Sequence, residues 1–370
     1  MKNIFASRTG IVIAGSIIGA LAAWLVYLGN PANMGICVAC FTRDTAGALG
    51  LHRAGVVQYI RPELIGFIWG SLVAALAFRE FRPRGGSSPL IRFVLGFFAM
   101  VGALVFLGCP WRALLRLAGG DWNGAVGILG LIAGIAVGVW FLKNGFTLGR
   151  ASANRSAVGW VMPVFALLLL VLVAVPVKFS PEGPVFFSAQ GPGAAHAPLL
   201  ISLAAGLLVG FLAQRTRFCT MGALRDVILT RDTHLLSGVF AFTVVAFIVN
   251  LLIGKFHPGF APQPVAHSNH LWNFFGMALS GLSFALAGGC PGRQFFMSGE
   301  GDGDSAIFVA GMFAGAAFAH NLSLAGSPDK FDKATQALTV GGPAAWGQAA
   351  VLLGLIVVLA IGWAMREKDA

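Results

Sequence analysis

Ten apolar runs follow one another along the chain, near 10–28, 62–78, 90–107, 125–142, 158–177, 198–213, 235–253, 271–288, 306–324 and 345–364. Each is close to the roughly 17 to 25 residues that a helix needs to cross a bilayer. Because lipid satisfies no backbone polar group, this pattern restricts the fold to helices that bond internally. With 57% hydrophobic residues, 11% charged residues and a mean hydropathy of +0.81, the chain could not keep its apolar surface from water as a soluble domain. The expected class is an all-α polytopic membrane protein with about ten transmembrane helices.

The formal charge of +11 does not point to nucleic acid, since Lys and Arg stand singly or in small groups between apolar runs. They read as topology signals. With the N-terminus inside, the segments on that side collect most of the 25 basic residues, from Lys2 and Arg8 to Arg366 and Lys368. The expectation is a bacterial inner-membrane protein with both termini cytoplasmic. The run from Gly10 to Leu28 resembles a signal peptide, but its length and the lack of a small-x-small cleavage site make it the first span.

The chain repeats itself. A shift of 182 residues places Cys37 on Cys219, Arg43 on Arg225 and Asp44 on Asp226, so that Cys-x5-Arg-Asp occurs twice. A shift of 181 aligns Gly108-Cys109-Pro110 with Gly289-Cys290-Pro291, Arg112 with Arg293, Gly120-Asp121 with Gly301-Asp302, and Gly130 and Gly134 with Gly311 and Gly315. Five crossings separate equivalent points. An odd number turns the second copy over, giving an inverted repeat with a path expected near the midplane. The organisation expected is 1–150 as the first unit, 151–197 as a connecting span and outer loop, 198–330 as the inverted unit, and 331–370 as a final span and tail.

Residues 34–50 and 219–230 are too short and polar to span, and are expected to be re-entrant half-helices. Cys109 and Cys290 read as ending long spans, broken by Pro110 and Pro291, which disfavour helical backbone at the preceding cysteine. Such breaks are tolerated only beside protein or a water-filled cavity, so four of them suggest the walls of a path. The Gly130, Gly134, Gly138 and Gly311, Gly315 series read as close-packing faces.

All five cysteines lie at these interruptions, and four are repeat-equivalent; Cys40 aligns with Gly222 and is the exception. The candidate path residues are therefore Cys37, Cys40, Cys109, Cys219 and Cys290, with Arg43, Arg112, Arg225 and Arg293 drawing an anion toward them and Asp44 and Asp226 as charge partners. Cys37-Val-Ala-Cys40 alone is too little for a metal or thioredoxin-like site. His257, His267 and His270 share a loop without acidic or cysteine partners, and Asp302 and Asp304 read as a solvated connection rather than a calcium loop. His320 and Asn250, within spans, fit helix contacts or a pathway. No catalytic residue, metal or cofactor is expected, and no P-loop is present for ATP.

The inverted pair of Cys-x5-Arg-Asp and Gly-Cys-Pro-x-Arg segments resembles the YeeE/YedE family of bacterial sulfur-transport membrane proteins, over nearly the whole chain. The stretches at 37–44 and 288–294 most resemble the YedE branch, described as selenium transporters. The resemblance implies an hourglass-shaped transporter whose substrate passes along cysteines at a constriction. By motif match these are Cys37, Cys109, Cys219 and Cys290. Thiosulfate-type members rely on three cysteines, so the relay and substrate differ in what they imply here. The expected cargo is a small selenium- or sulfur-containing anion, selenium favoured, with membrane lipid and a cytoplasmic sulfur or selenium carrier protein as further partners and no nucleic acid.

Neutral thiols in a dry constriction are weak donors that could pass such an anion between Arg-lined mouths without trapping it. The rival expectation is a membrane thiol-disulfide oxidoreductase, or a relay subunit, built on a Cys37/Cys40 pair.

Overall fold

A computed structural model describes residues 4–175, 185–332 and 334–367. Lys2, Lys368 and residues 176–184 of the expected connecting segment lie outside the described residues. Among those described are fourteen α-helices: α1 (Arg8–Tyr27), α2 (Val38–Ala48), α3 (Pro62–Ala77), α4 (Pro89–Phe106), α5 (Pro110–Ala118), α6 (Asn123–Lys143), α7 (Ser156–Ala174), α8 (Leu199–Thr216), α9 (Thr220–Thr230), α10 (His234–Leu252), α11 (His270–Ala287), α12 (Pro291–Gly299), α13 (Gly303–Asn321) and α14 (Ala345–Ala364). Two-residue ribbons, Arg84–Gly85 with Ser152–Ala153 and Lys330–Phe331 with Leu338–Thr339, are the strands.

The ten long helices correspond to the ten apolar runs. Eight belong to stretches long and apolar enough to cross a membrane by length and composition, three of which continue into a short helix. The other two are α3, which has 16 residues, and α13, whose ends carry Asp304 and His320. The protein is thus a multi-pass membrane protein. The four short helices, α2, α5, α9 and α12, have 9 to 11 residues and cannot span.

Packing follows the repeat. Helices α1, α3, α4 and α6 of the first copy pair chiefly with α10, α8, α13 and α11 of the second, so the copies interleave rather than sit side by side. Glycines make these contacts possible. A Cβ on Gly15 or Gly19 would overlap the carbonyl oxygen of Gly238 or Phe242, and one on Gly134 that of Ala278; Gly311 meets Phe93 in the same way. Without a hydrophobic force between helices in lipid, such backbone approach is what holds neighbours together. The contacts run in the same direction in all four pairs: Gly66 to Gly206 then Gly70 to Leu207 and Phe211, or Phe93 to Gly311 then Phe97 to Gly315.

The pair α4 and α11 is different, because these two helices are repeat equivalents of one another. Gly102 meets Gly276, while Ala99 accepts a hydrogen bond from the Ser280 hydroxyl at 2.9 Å, so the two run antiparallel. A repeat whose equivalent helices meet antiparallel has its pseudo-twofold axis across the helices, which makes the second copy inverted.

One expectation fails here. The Asp302–Asp304 run is not a solvated connection, since both residues are buried. Asp302 caps α13 by accepting from the Ser305 amide at 2.9 Å and pairs with Arg84 at 2.7 Å, and Asp304 accepts from the Gly86 and Ser87 amides. The carboxylates are drawn in because a helix N-terminus and a tight turn both leave amides to satisfy.

Gly134→Val should lower stability by about 1–3 kcal/mol or more through helix separation. Gly55→Ala, at an exposed site with nothing within 4 Å of an added Cβ, should leave the thermal unfolding midpoint unchanged in the same detergent.

Candidate functional site

The four repeat-equivalent cysteines occupy one structural position: each is the N-cap of a short helix, Cys37 of α2, Cys109 of α5, Cys219 of α9 and Cys290 of α12. Cys109 and Cys290 therefore do not end the spans before them, as the sequence suggested. Helix α4 stops with Leu107 at φ 65° and α11 with Gly288 at φ 84°, both left-handed, and the chain then turns through an extended cysteine into a proline-started helix. Pro110 and Pro291 thus start new helices while keeping the old ones from continuing.

At Cys37 the Sγ accepts the Cys40 amide at 3.3 Å, and at Cys219 it accepts the Gly222 amide at 3.2 Å. This explains the unmatched cysteine. Cys40 and Gly222 supply the same capping N–H, and only the first copy adds a thiol to it.

The thiols gather in two clusters. Cys37 Sγ lies 2.8 Å from Cys40 Sγ and 3.7 Å from Cys109 Sγ. In the second cluster the Cys290 amide reaches Cys219 Sγ at 3.5 Å. All five are free and buried. Since a helix N-terminus carries a positive dipole end and unpaired N–H groups, each cluster sits where two such ends favour negative charge.

The arginines divide the clusters. Arg112 is wholly buried, and its Nη1 points at Cys40 Sγ at 3.5 Å. Its other partners are carbonyl oxygens, those of Leu107 and, at 3.0 Å, Val265. Among the described residues it has no carboxylate partner, and its Nε has no acceptor. Its repeat mate Arg293 is instead paired with Glu300 at 3.1 Å, and Glu300 also binds Arg217 at 2.9 Å.

Arg43 and Arg225 each pair with the adjacent aspartate, as the sequence suggested, but in different surroundings. Asp44 is bound by both Arg43 at 2.6 Å and Arg61 at 2.7 Å with side chains no more than 2% exposed, whereas Arg225 and Asp226 are 32% and 24% exposed. Arg61 escaped sequence reading because its acid partner lies 17 residues away. Arg116, also buried, pairs with Asp121 at 2.5 Å and donates to the Phe106 carbonyl at the end of α4.

Shallow clefts approach both clusters. One of about 110 Å³, lined by Asn33, Lys255, His257 and Pro264, reaches the loop whose Pro264 carbonyl lies 3.5 Å from Arg112. Another of about 250 Å³ is lined by Arg92, Arg225 and Gly288, two residues before Cys290. A larger cleft of about 860 Å³ between Lys143 and Arg366 contains no cysteine and lies apart from this site.

Three other polar residues marked in the sequence contact backbone or another side chain. His267 lies 2.8 Å from the Val105 carbonyl, and burial pulls its pKa to about 4, leaving it neutral. Asn250 donates to the Ala118 carbonyl, and the His320 ring lies tilted against that of His52, with centroids 4.6 Å apart. Among the described residues no group of three or more His, Cys, Asp or Glu could hold a metal ion.

Comparison with known proteins finds similarity over part of the chain. Residues 215–370 match a family model described as sulphur transport. The chain is 37% identical over 103 residues to a protein of Spirochaeta thermophila named thiosulfate transporter TsuA, covering 26% of this chain and 30% of that protein. It is 31% identical over 104 residues to the protein of the same name from Escherichia coli, covering 28% and 29%. Each alignment spans less than a third of the relative.

The different neutralisation of the arginines has a measurable consequence. Asp44→Asn leaves two buried guanidinium groups unpaired and should cost about 3–5 kcal/mol. Arg112→Met removes a charge that has no acid partner among the described residues and should hold or raise the thermal unfolding midpoint.

Proposed function

We infer, from the sulphur-transport pattern carried by residues 215–370, with the YeeE/YedE resemblance borne out at family level, that this chain carries a small sulfur-bearing anion across the bacterial inner membrane. The observation that supports this most directly is the first cluster: three buried thiols against a buried guanidinium that has no carboxylate partner among the described residues. An uncompensated cation at such depth costs several kcal/mol, a cost that an anion offsets whenever it is present. The thiols are soft partners for a terminal sulfur, and the N-caps supply amides for its oxygens.

In this reading both termini are cytoplasmic and Cys37, Cys40 and Cys109 face the outside. An anion enters past Lys255, meets Arg112, and is held among the three thiols. It then moves to Cys219 and Cys290, where Arg293 is already neutralised by Glu300 and the hold is weaker. Unequal attraction at two sites favours release at the second, and weak multi-site contact lets the anion leave. Arg43 and Arg225 act less directly, as ion-paired walls. The relatives' names favour thiosulfate over the selenium compound that the YedE resemblance suggested.

Uptake of labelled thiosulfate and selenite into proteoliposomes tests the reading. Wild type should accumulate thiosulfate, while Cys109→Ala, Cys290→Ala and Arg112→Met each lower uptake at least tenfold, the equivalent of about 1.4 kcal/mol. Wild-type uptake by all three variants would sink the relay. A Cys37–Cys40 disulfide recovered by thiol labelling before reduction would favour the oxidoreductase instead.

A further inference from the structure

Between the two clusters stands a residue that neither motif singled out. Trp111 follows Cys109 by two positions on α5, yet its ring reaches the other copy: it lies 5.6 Å from the ring of Phe218, the neighbour of Cys219, and 6.0 Å from that of Phe296 on α12. Phe67 and Phe242 complete the packing, with centroids at 6.2 and 5.9 Å. Trp111 is 1% exposed.

Its repeat mate is Gly292, and the two positions meet. A Cβ on Gly292 would lie 3.3 Å from Cζ2 of Trp111. Near a pseudo-twofold centre two indoles would compete for one space, so one copy supplies the ring and the other supplies room for it. The symmetry of the scaffold is broken here by a side chain that starts two residues from Cys109 and ends against the neighbour of Cys219.

The indole N–H is the second observation. Among the described residues Nε1 of Trp111 has no acceptor although the ring is buried. Leaving such a donor unbonded in a buried site is unfavourable, and phenylalanine would fill the same aromatic nest without that cost. Thr220, beside Cys219, likewise buries a hydroxyl oxygen without a partner. Buried donors left unpaired require an explanation. An acceptor that is present only during transit is one that fits both.

Resting on the transport reading above, we propose that Trp111 is the septum of the path, closing it to other ions while its indole N–H, with the Thr220 hydroxyl, hydrogen-bonds the anion as it passes from Cys109 to Cys219. Packing alone would make Trp111 and Phe interchangeable here. A septum that also donates makes them differ in transport while matching in closure.

The test uses the full-length protein in proteoliposomes, with labelled thiosulfate uptake and chloride leak measured on the same vesicles. Trp111→Phe should remain chloride-tight and lose uptake about two- to tenfold at low thiosulfate, as expected for one missing hydrogen bond. Trp111→Ala should leak chloride. Gly292→Val, which presses on the ring from the opposite copy, should lower uptake without leak, and it serves if Trp111→Ala is not monodisperse. Wild-type uptake by Trp111→Phe overturns the donor role; a chloride-tight Trp111→Ala, or wild-type uptake by Gly292→Val, overturns the septum. Wild-type vesicles no better than empty ones would count against thiosulfate transport itself, while the leak of Trp111→Ala still scores the septum.

Discussion

Glycine-mediated contact between the two copies is the constraint on which the rest of the molecule depends. In lipid the flanking helices gain little from hiding apolar surface, so association rests on close backbone approach. Gly15, Gly19, Gly66, Gly70, Gly96, Gly134, Gly206, Gly210 and Gly311 each face backbone of the opposite copy at a distance no larger residue allows. These contacts set the depth of each helix against its partner. They also interleave the copies, so neither half has a complete set of packing partners without the other.

Held at that depth, the breaks after α4 and α11 fall on either side of the α4–α11 crossing. The chain emerging from each break begins a short helix, and the cysteine at its start is placed by the cap rather than by a free choice of rotamer. Two helix N-termini then converge on each thiol cluster, with their amides directed inward. The carbonyls left at the end of α4 are met by Arg112 and Arg116, and those at the end of α11 by Arg92 and Gln294. A buried backbone end must be satisfied, and the residues that do so also set the electrostatics of each cluster.

On this symmetric scaffold the chemistry is asymmetric. Cys40 stands where the second copy has Gly222, Trp111 where it has Gly292, and Arg112, with no acid partner among the described residues, where it has an Arg293 bound to Glu300. Helix α2 is buried throughout, whereas α9 is buried only over its first four residues. A perfectly symmetric path would hold an anion equally at both ends. The departures from symmetry are therefore where direction and closure can arise: the first copy adds a thiol and an indole, and the second adds, in place of Gly119, the Glu300 carboxylate that neutralises its arginine.

Much of this was written in the sequence. Ten apolar runs, two Cys-x5-Arg-Asp segments and two Gly-Cys-Pro-x-Arg segments determined a helical membrane protein with an inverted repeat, because lipid forbids unbonded backbone and an odd number of crossings forces inversion. What the cysteines do locally was less legible: proline marked the breaks, but that each cysteine caps a new helix depends on the turn preceding it. The long-range partners of charge were decided by the tertiary fold. Adjacency gave Arg43–Asp44 and Arg225–Asp226, but Arg61 meets Asp44 across 17 residues and Arg84 meets Asp302 across 218, pairs that adjacency does not reveal. The same holds for Trp111, an ordinary aromatic residue in the sequence. Only the packing of two inverted copies places it against Gly292, since a residue's position relative to a symmetry axis exists only once both copies have folded together.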